Sequence, residues 1–572
     1  MATRRLEQVF VDLGYIDDEQ MELLVEEHQH RHGEKMGQVA LSLGMLNEEQ
    51  LAHAFAEQFS YQEISLVDIP IPPEVLAHMS EPMAVLYKVI PVSFRDNILT
   101  IAMCEPDNLL AVDELKSSLG YEIRIVVTTP KDIQTALDRY YATNKESVES
   151  ILADIEHDQE IRKMAAAMES GEMLDLMSVE TVSESAPVKK LLNLVFLTGI
   201  RDHASDLHFE PFEDEFKIRI KADGTLYEMV PPPKHLASAI TTRIKVMSKL
   251  DIAERRLPQD GRIQLQVAGN PIDFRVSVLP TMFGESIVCR ILDKSVVMLD
   301  LNNVGMAPEL IRTFRELIKL PNGIMLVTGP TGSGKTTTLY AALSELNVIH
   351  DKLMTTEDPV EYDIDGIIQI PIDADIGNTF AQCLRSILRQ DPDKILVGEI
   401  RDVETAEIAV QASLTGHLVF STLHTNDAPS SITRLRDMGI PAFLITATVQ
   451  GILAQRLVRR ICTECREPFT PDAEQLLELD LAPRDVEGKP FYRGRGCVTC
   501  NNTGYKGRTA IHEFMIINDD IRELINRGAS TGEMRNAGSR NGMVTLREAG
   551  MRKIHEGISS IEEVARETAL EM

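Results

Sequence analysis

Eight residues near the middle of the chain, Gly329-Pro330-Thr331-Gly332-Ser333-Gly334-Lys335-Thr336, constrain its fold more than any other feature. They follow an apolar run, Ile324-Met325-Leu326-Val327-Thr328, that has the character of a buried strand. They precede Thr337-Thr338-Leu339-Tyr340-Ala341-Ala342-Leu343, whose apolar spacing is helical. A strand, a glycine-rich turn and a helix start are the setting that a phosphate-binding loop requires. The glycines let backbone N–H groups turn inward around phosphate oxygens, and the helix N-terminus adds partial positive charge. Lys335 is placed to reach the β- and γ-phosphates, and the Thr336 hydroxyl to ligate Mg²⁺. Residues 329–337, Thr337 included, are expected to hold ATP, and the chain to hydrolyse it.

A chain of 572 residues is too long for one core, so three or four domains are expected. No apolar run reaches the length that spans a bilayer, and Met1–Phe10 does not lead into a signal-peptide core. The expectation is a cytoplasmic protein with no direct membrane insertion. The net charge of −30 argues against wholesale binding of duplex DNA, which needs an excess of Lys and Arg. No nucleic-acid partner is expected. The acidity fits either solubility or attraction to a basic partner.

In chain order, residues 1–60 repeat with a period of 30. Leu6-Glu7-Gln8-Val9 aligns with Met36-Gly37-Gln38-Val39, and Leu13-Gly14 with Leu43-Gly44. Each unit reads as helix, glycine stop, acidic cap, helix, so the pair forms a small bundle. Residues 61–142 alternate short strands and helices, without a catalytic constellation. Residues 143–185 read as an acidic, flexible or partly helical linker; across 144–190, eleven Asp/Glu stand against five Lys/Arg. Residues 186–303 form a second α/β unit. Arg275 and Arg290 stand out there, each in an otherwise apolar strand, where an arginine must find an anion. That anion is either internal, with Asp273 beside Arg275, or the γ-phosphate of a nucleotide.

From about residue 304 the pattern is that of a RecA-like ATPase with an open, mostly parallel sheet. Glu357 opens an acidic box, Glu357-Asp358-Pro359-Val360-Glu361, suited to orienting water near Mg²⁺. Glu399 follows Ile395-Leu396-Val397-Gly398, where a Walker B strand is expected and where an Asp usually stands at the position of Gly398. His417 and His424 flank the run Leu418-Val419-Phe420-Ser421-Thr422-Leu423, and a histidine at a strand end can sense a γ-phosphate. Cys462-x-x-Cys465 and Cys497-x-x-Cys500 suit tetrahedral Zn²⁺, with no position left open for catalysis. The intervening loop is acidic at 472–480 and is a plausible partner contact.

Together the runs PDKILVGEIRD at 392–402, LTGHLVFSTLHTND at 414–427, EDPVEY at 357–362, RLPQDGR at 256–262 and the cysteine pairs resemble the secretion-superfamily ATPases. These are the motors of type IV pilus assembly (PilB-like) and type II secretion (GspE-like). The resemblance covers roughly residues 180–572. It implies an α/β fold with a RecA-like ASCE P-loop core, preceded by a PAS-like α/β domain and an N-terminal helical plus α/β domain. The ATPase domain would span 304–572, with a zinc-knuckle insert at 462–500. It implies a homohexamer acting on an inner-membrane platform protein, at the inner face of that membrane. Glu357 and Glu399 would polarise water and hold Mg²⁺ through water, and Arg275 and Arg290 would reach the γ-phosphate. His417 and His424 would couple nucleotide state to domain motion, and Arg385 and Arg389 would lie at a subunit contact. The superfamily's retraction motors lack the long front region and the zinc knuckles, which points to an assembly or extrusion motor.

The front repeat resembles the tandem motif of cyclic di-GMP-binding domains found on such motors. The second unit keeps Gly37, Leu41, Gly44, Leu51 and Gln58. The first has Glu7 and His28 where glycine and glutamine are expected. A docking domain for a cytoplasmic actin-like or membrane-linked assembly protein is the alternative reading of 1–142.

Overall fold

The computed structural model describes residues 5–30, 35–66, 69–141, 183, 185–229, 231–268, 270–293, 299–479, 481, 482, 486 and 488–569. The linker expected at 143–185 lies almost wholly outside these residues. The chain divides into two compact units, 1–294 and 295–572. Among the described residues, no helix is long and apolar enough to cross a membrane.

The first unit begins with the repeat. Helices Leu6–Asp12 and Asp18–His30 are echoed by Met36–Ser42 and Glu48–Phe59. Gly14 and Gly44 turn the chain at matching places, with φ of 70° and 69°, where a side chain would be strained. Reciprocal caps recur thirty residues apart. Asp17 accepts from the Gln20 N–H at 2.8 Å, and Asn47 from that of Gln50 at 2.8 Å. Phe10, Leu24, Val39 and Ala54 fill the bundle interior.

A four-stranded sheet follows, in the order Gln62–Glu63, Glu122–Val127, Ile98–Met103, Val89–Arg95. A second sheet has six antiparallel strands: Thr225–Glu228, Phe216–Ala222, Asp206–Pro211, Gly284–Asp293, Asn270–Thr281 and Gln259–Val267. Residues alternate across it with period two. Ile272, Phe274, Val276 and Val278 are buried against helices Ala186–Arg201 and Ala237–Met247. Arg262, Arg275 and Arg290 lie on the opposite face.

The second unit is built on seven strands, in the order Ile368–Pro371, Leu353–Glu357, Lys394–Val397, Leu418–Leu423, Gly323–Thr328, Val449–Ile461, Tyr505–Ile516. All neighbours are parallel except the last pair. The central strands are buried along their length, since helices cover both faces. All six residues of Gly323–Thr328 and of Leu418–Leu423 are buried. Loops at the carboxyl ends of parallel strands converge on one edge, where ligands of open α/β sheets bind.

His512, on the last strand, is 6% exposed. Burial, with Lys553 adding, lowers its imidazole from 6.5 to about 3. A lowered histidine pKa favours the neutral ring in the fold. Its contribution to stability is complete above pH 6.5 and is lost progressively as pH falls towards 3. Melting curves between about pH 7.5 and about pH 5 are therefore expected to fall more steeply for the wild type than for His512→Gln.

Candidate nucleotide site and metal centre

The loop between strand Gly323–Thr328 and helix Lys335–Leu346 has left-handed backbone at Gly332 and Gly334, with φ of 79° and 85°. Glycine is also required by space. A Cβ at Gly329 would lie 2.5 Å from the Gln455 carbonyl oxygen, and one at Gly334 2.8 Å from the Gln455 side-chain nitrogen. Thr331 and Gly332 face solvent, so the loop's mouth is open. Ser333 Oγ is a buried hydroxyl without a hydrogen-bond partner, as suits a loop built to enclose further acceptors.

Lys335 is 9% exposed. Its Nζ donates to the carbonyls of Gly329 and Pro330, both at 2.9 Å. Burial pulls the ammonium pKa down, Glu399 pushes it back up, and Arg456 lowers it. A buried cation bonded to two neutral carbonyls is an attractive partner for a phosphate. The residues present thus fit a nucleoside triphosphate, with Thr336 in the first helical turn placed as the Mg²⁺ ligand.

The two acidic candidates differ in environment. Glu357 ends strand Leu353–Glu357 and is 4% exposed. Its carboxylate accepts from the Tyr340 hydroxyl, from Thr355 Oγ1 at 2.6 Å and from Gln369 Nε2 at 3.2 Å. Burial and Glu357 together raise the Tyr340 phenol, keeping it a donor. Glu399 lies two residues beyond strand Lys394–Val397, close enough to Lys335 for their charges to interact. It pairs with Arg401, and its other oxygen is 3.1 Å from His424 Nε2. Glycine at 398 has a packing reason. A Cβ there would lie 3.1 Å from the Thr356 carbonyl oxygen and 3.3 Å from the Phe380 ring. The Asp common at this place in other phosphate-loop enzymes would need these neighbours to shift by a few tenths of an ångström.

The structure separates the two histidines. His424 follows the carboxyl end of its strand and joins Glu399. His417 precedes the same strand, whose six residues span about 20 Å. Its ring lies 2.9 Å from the Ala412 carbonyl and 3.2 Å from the Thr415 hydroxyl, and its own carbonyl accepts from the Gly323 N–H. Strand direction thus puts His417 at the edge of the sheet opposite to His424.

Arg275 and Arg290 are directly paired across their strands, and Arg262 pairs with Arg275 on the other side. Asp206 comes next in the row, and its carboxylate accepts from Arg290 Nε at 2.9 Å. The internal anion of Arg290 is therefore Asp206. Three guanidinium groups abreast repel one another unless an anion lies over them. Arg262 is exposed and, among the described residues, makes no ion pair. In the second unit, Arg385 pairs with Glu404 at 2.6 Å and Arg389 donates to Ser386 Oγ, both on an exposed surface.

The cysteines meet because their strands pair. Ile461 lies opposite Tyr505, so the chain leaves one strand into Cys462 and enters the other just after Cys500. The four sulfurs lie within 4.8 Å of one another and form no disulfide. Cys462–Cys497, Cys465–Cys500 and Cys497–Cys500 are separated by 3.8, 3.9 and 3.7 Å. A tetrahedron of thiolates about 2.3 Å from Zn²⁺ has edges of about 3.8 Å. Backbone N–H groups of Gly496, Cys497 and Gly504 point at Cys465 and Cys500 sulfurs, at 3.2 to 3.3 Å. The cluster could hold a metal ion and is compatible with zinc.

Against known proteins, the model of the type II/IV secretion system protein family matches residues 181–566. The chain belongs to that family. An MshEN domain model matches residues 59–147. The type IV pilus assembly ATPase PilB of Myxococcus xanthus is 44% identical over 99% of both chains. Type II secretion system protein E of Xanthomonas campestris is 42% identical over 95% of both. Among solved structures, the ATPase DotB of Yersinia pseudotuberculosis shares the fold, with a TM-score of 0.51 and 21% identity over 66% of this chain and 94% of that one. Membership of this ATPase family implies nucleotide and Mg²⁺ chemistry.

The contacts of Tyr340 with Glu357, of Gln455 with the loop and of Arg456 with Asn426 escaped the sequence reading. A polar pair inside the buried strand Val449–Ile461 was the one available signal for the last two.

Cys497→Ser is expected to abolish metal retention, about one ion per chain by elemental analysis, and to lower the melting temperature of the second unit.

Proposed function

We propose that this chain is the cytoplasmic, hexameric motor that drives type IV pilus assembly, acting on a membrane platform protein at the inner face of the inner membrane. The supporting observation is the end-to-end match to a pilus assembly ATPase, over 99% of both chains. The type II secretion motor is the second reading, favoured by the relative at 42% identity over 95% of both chains. In cells lacking the gene, loss of surface pili that is restored by wild type and not by Lys335→Ala supports the first reading. Loss of protein secretion with intact pili supports the second.

In this reading ATP supplies the scissile β–γ phosphoanhydride and Mg²⁺ offsets its charge. Lys335 exchanges its two carbonyl partners for phosphate oxygens. Glu399 orients the attacking water, because its carboxylate interacts with the Lys335 charge and its partners, Arg401 and His424, are more than half exposed. Glu357, held by three donors, is a fixed negative centre for the hydrated Mg²⁺. Arg275 and Arg290, with Asp206 balancing one charge, meet the γ-phosphate. Zn²⁺ on Cys462, Cys465, Cys497 and Cys500 staples the insert.

In the front bundle Gly37 packs against Leu51, whose side chain would have to shift for a Cβ there, at 2.9 Å. Glu7 takes the matching place in the first unit. We favour an assembly protein as the partner of this bundle over cyclic di-GMP.

Steady-state assays of the purified full-length protein test the chemistry. Lys335→Ala is expected to lose turnover. Glu399→Gln is expected to lower kcat about 10²-fold or more with KM nearly unchanged, and Glu357→Gln to shift the Mg²⁺ requirement instead. Arg275→Ala is expected to lower kcat about 10³-fold in the assembled ring.

A further inference from the structure

The phosphate loop does not set its own curvature. Its glycines at 329, 332 and 334 take backbone angles that cost glycine little, and they would take others as readily. Something outside the loop must hold it. Parallel pairing places Ala454 opposite Thr328, so Gln455 stands level with Gly329, one strand away. Gln455 is 2% exposed. Its side-chain Nε2 donates to the Ser333 carbonyl at 2.8 Å, and its Oε1 accepts from Thr338 Oγ1 at 2.8 Å. Its own backbone carbonyl and its amide nitrogen are the atoms that a Cβ at Gly329 and at Gly334 would strike. The backbone of Gln455 thus bounds the start of the loop, and its side chain holds the loop's end and the first turn of the helix.

We infer that Gln455 is a positioning residue for the nucleotide, a buried amide that holds residues 329–334 in the curve whose N–H groups converge on phosphate. This rests on the reading that these residues hold the nucleotide. The amide is suited to the task because its two ends differ. Ser333 presents an acceptor and needs a donor; the Thr338 hydroxyl presents a donor and needs an acceptor. A carboxylate of the same shape places an oxygen against the Ser333 carbonyl and pushes it away. The next residue extends the same logic to the other face of the strand. Arg456 Nη2 donates to the Asn426 carbonyl and Oδ1 at 3.1 and 2.9 Å, fixing the loop that carries His424. Two consecutive residues of one strand therefore hold the two loops that flank Lys335.

The test uses the full-length protein with Gln455→Glu and Gln455→Met, beside Lys335→Ala. The measurements are the Kd of a fluorescent non-hydrolysable ATP analogue, KM and kcat for ATP, and melting temperature without nucleotide. A lost buried hydrogen bond predicts Kd and KM about tenfold higher in both Gln455 variants, with kcat at saturation within about threefold. A merely structural role would lower the melting temperature and leave KM alone. Kd and KM within about twofold of wild type in both variants would overturn the inference. Lys335→Ala separates the two levels of argument. If it too binds and turns over normally, the reading of 329–336 as the nucleotide site has failed. If it fails while Gln455 variants are normal, only the positioning role has failed. Should neither Gln455 variant fold, Thr338→Val decides, since it removes only the hydroxyl that Gln455 accepts from. A KM rise of about threefold at unchanged melting temperature supports the inference, and an unchanged KM overturns it.

Discussion

A lysine ammonium buried at the carboxyl edge of a parallel sheet is the constraint around which the second unit is built. Lys335 cannot rest in an apolar interior without acceptors. Two loop carbonyls hold it, Glu399 lies within electrostatic reach, and the mouth of the loop is open where a phosphate would enter. Every neighbouring feature follows from keeping that charge satisfied but exchangeable. Strands buried on both faces place it, glycines make room for the loop's backbone, and Gln455 bonds the loop's end to the helix.

The acidic groups show how environment divides roles between like residues. Glu357 ends one parallel strand and Glu399 lies two residues past another. The first is wrapped by Tyr340, Thr355 and Gln369, which fixes its position. The second touches a histidine and an arginine that are more than half exposed, so its partners can leave. A carboxylate that orients water needs that freedom, whereas one that anchors a hydrated cation does not.

The two units pose opposite electrostatic problems. The second surrounds one buried cation with anions and dipoles. The first lines up Arg262, Arg275 and Arg290 along one row of an antiparallel sheet, with Asp206 next in the row and bonded to Arg290. Such a row is stable on a solvated face and becomes favourable against a polyanion. The four cysteines solve a third problem, closing a long insert at its base. Pairing of the last two strands brings the knuckles together, and the sulfur separations already match a thiolate tetrahedron.

The chain's motifs alone determined the phosphate loop, its flanking strand and helix, the acidic pair, the thiolate set and the thirty-residue repeat. Each rests on local spacing, and local spacing reads directly into local geometry. The edge of the sheet on which a residue lies is a different kind of fact. His417 and His424 look equivalent in sequence, one before and one after the same apolar run, but strand direction separates them by the length of that strand. Gly398 and Gly37 each lie tight against neighbours distant in sequence, Thr356 and Phe380 for the first and Leu51 for the second. Gln455, over a hundred residues from the loop it holds, carries no motif at all. Only strand pairing brings it there, because register is set by the whole sheet and not by the residues on either side.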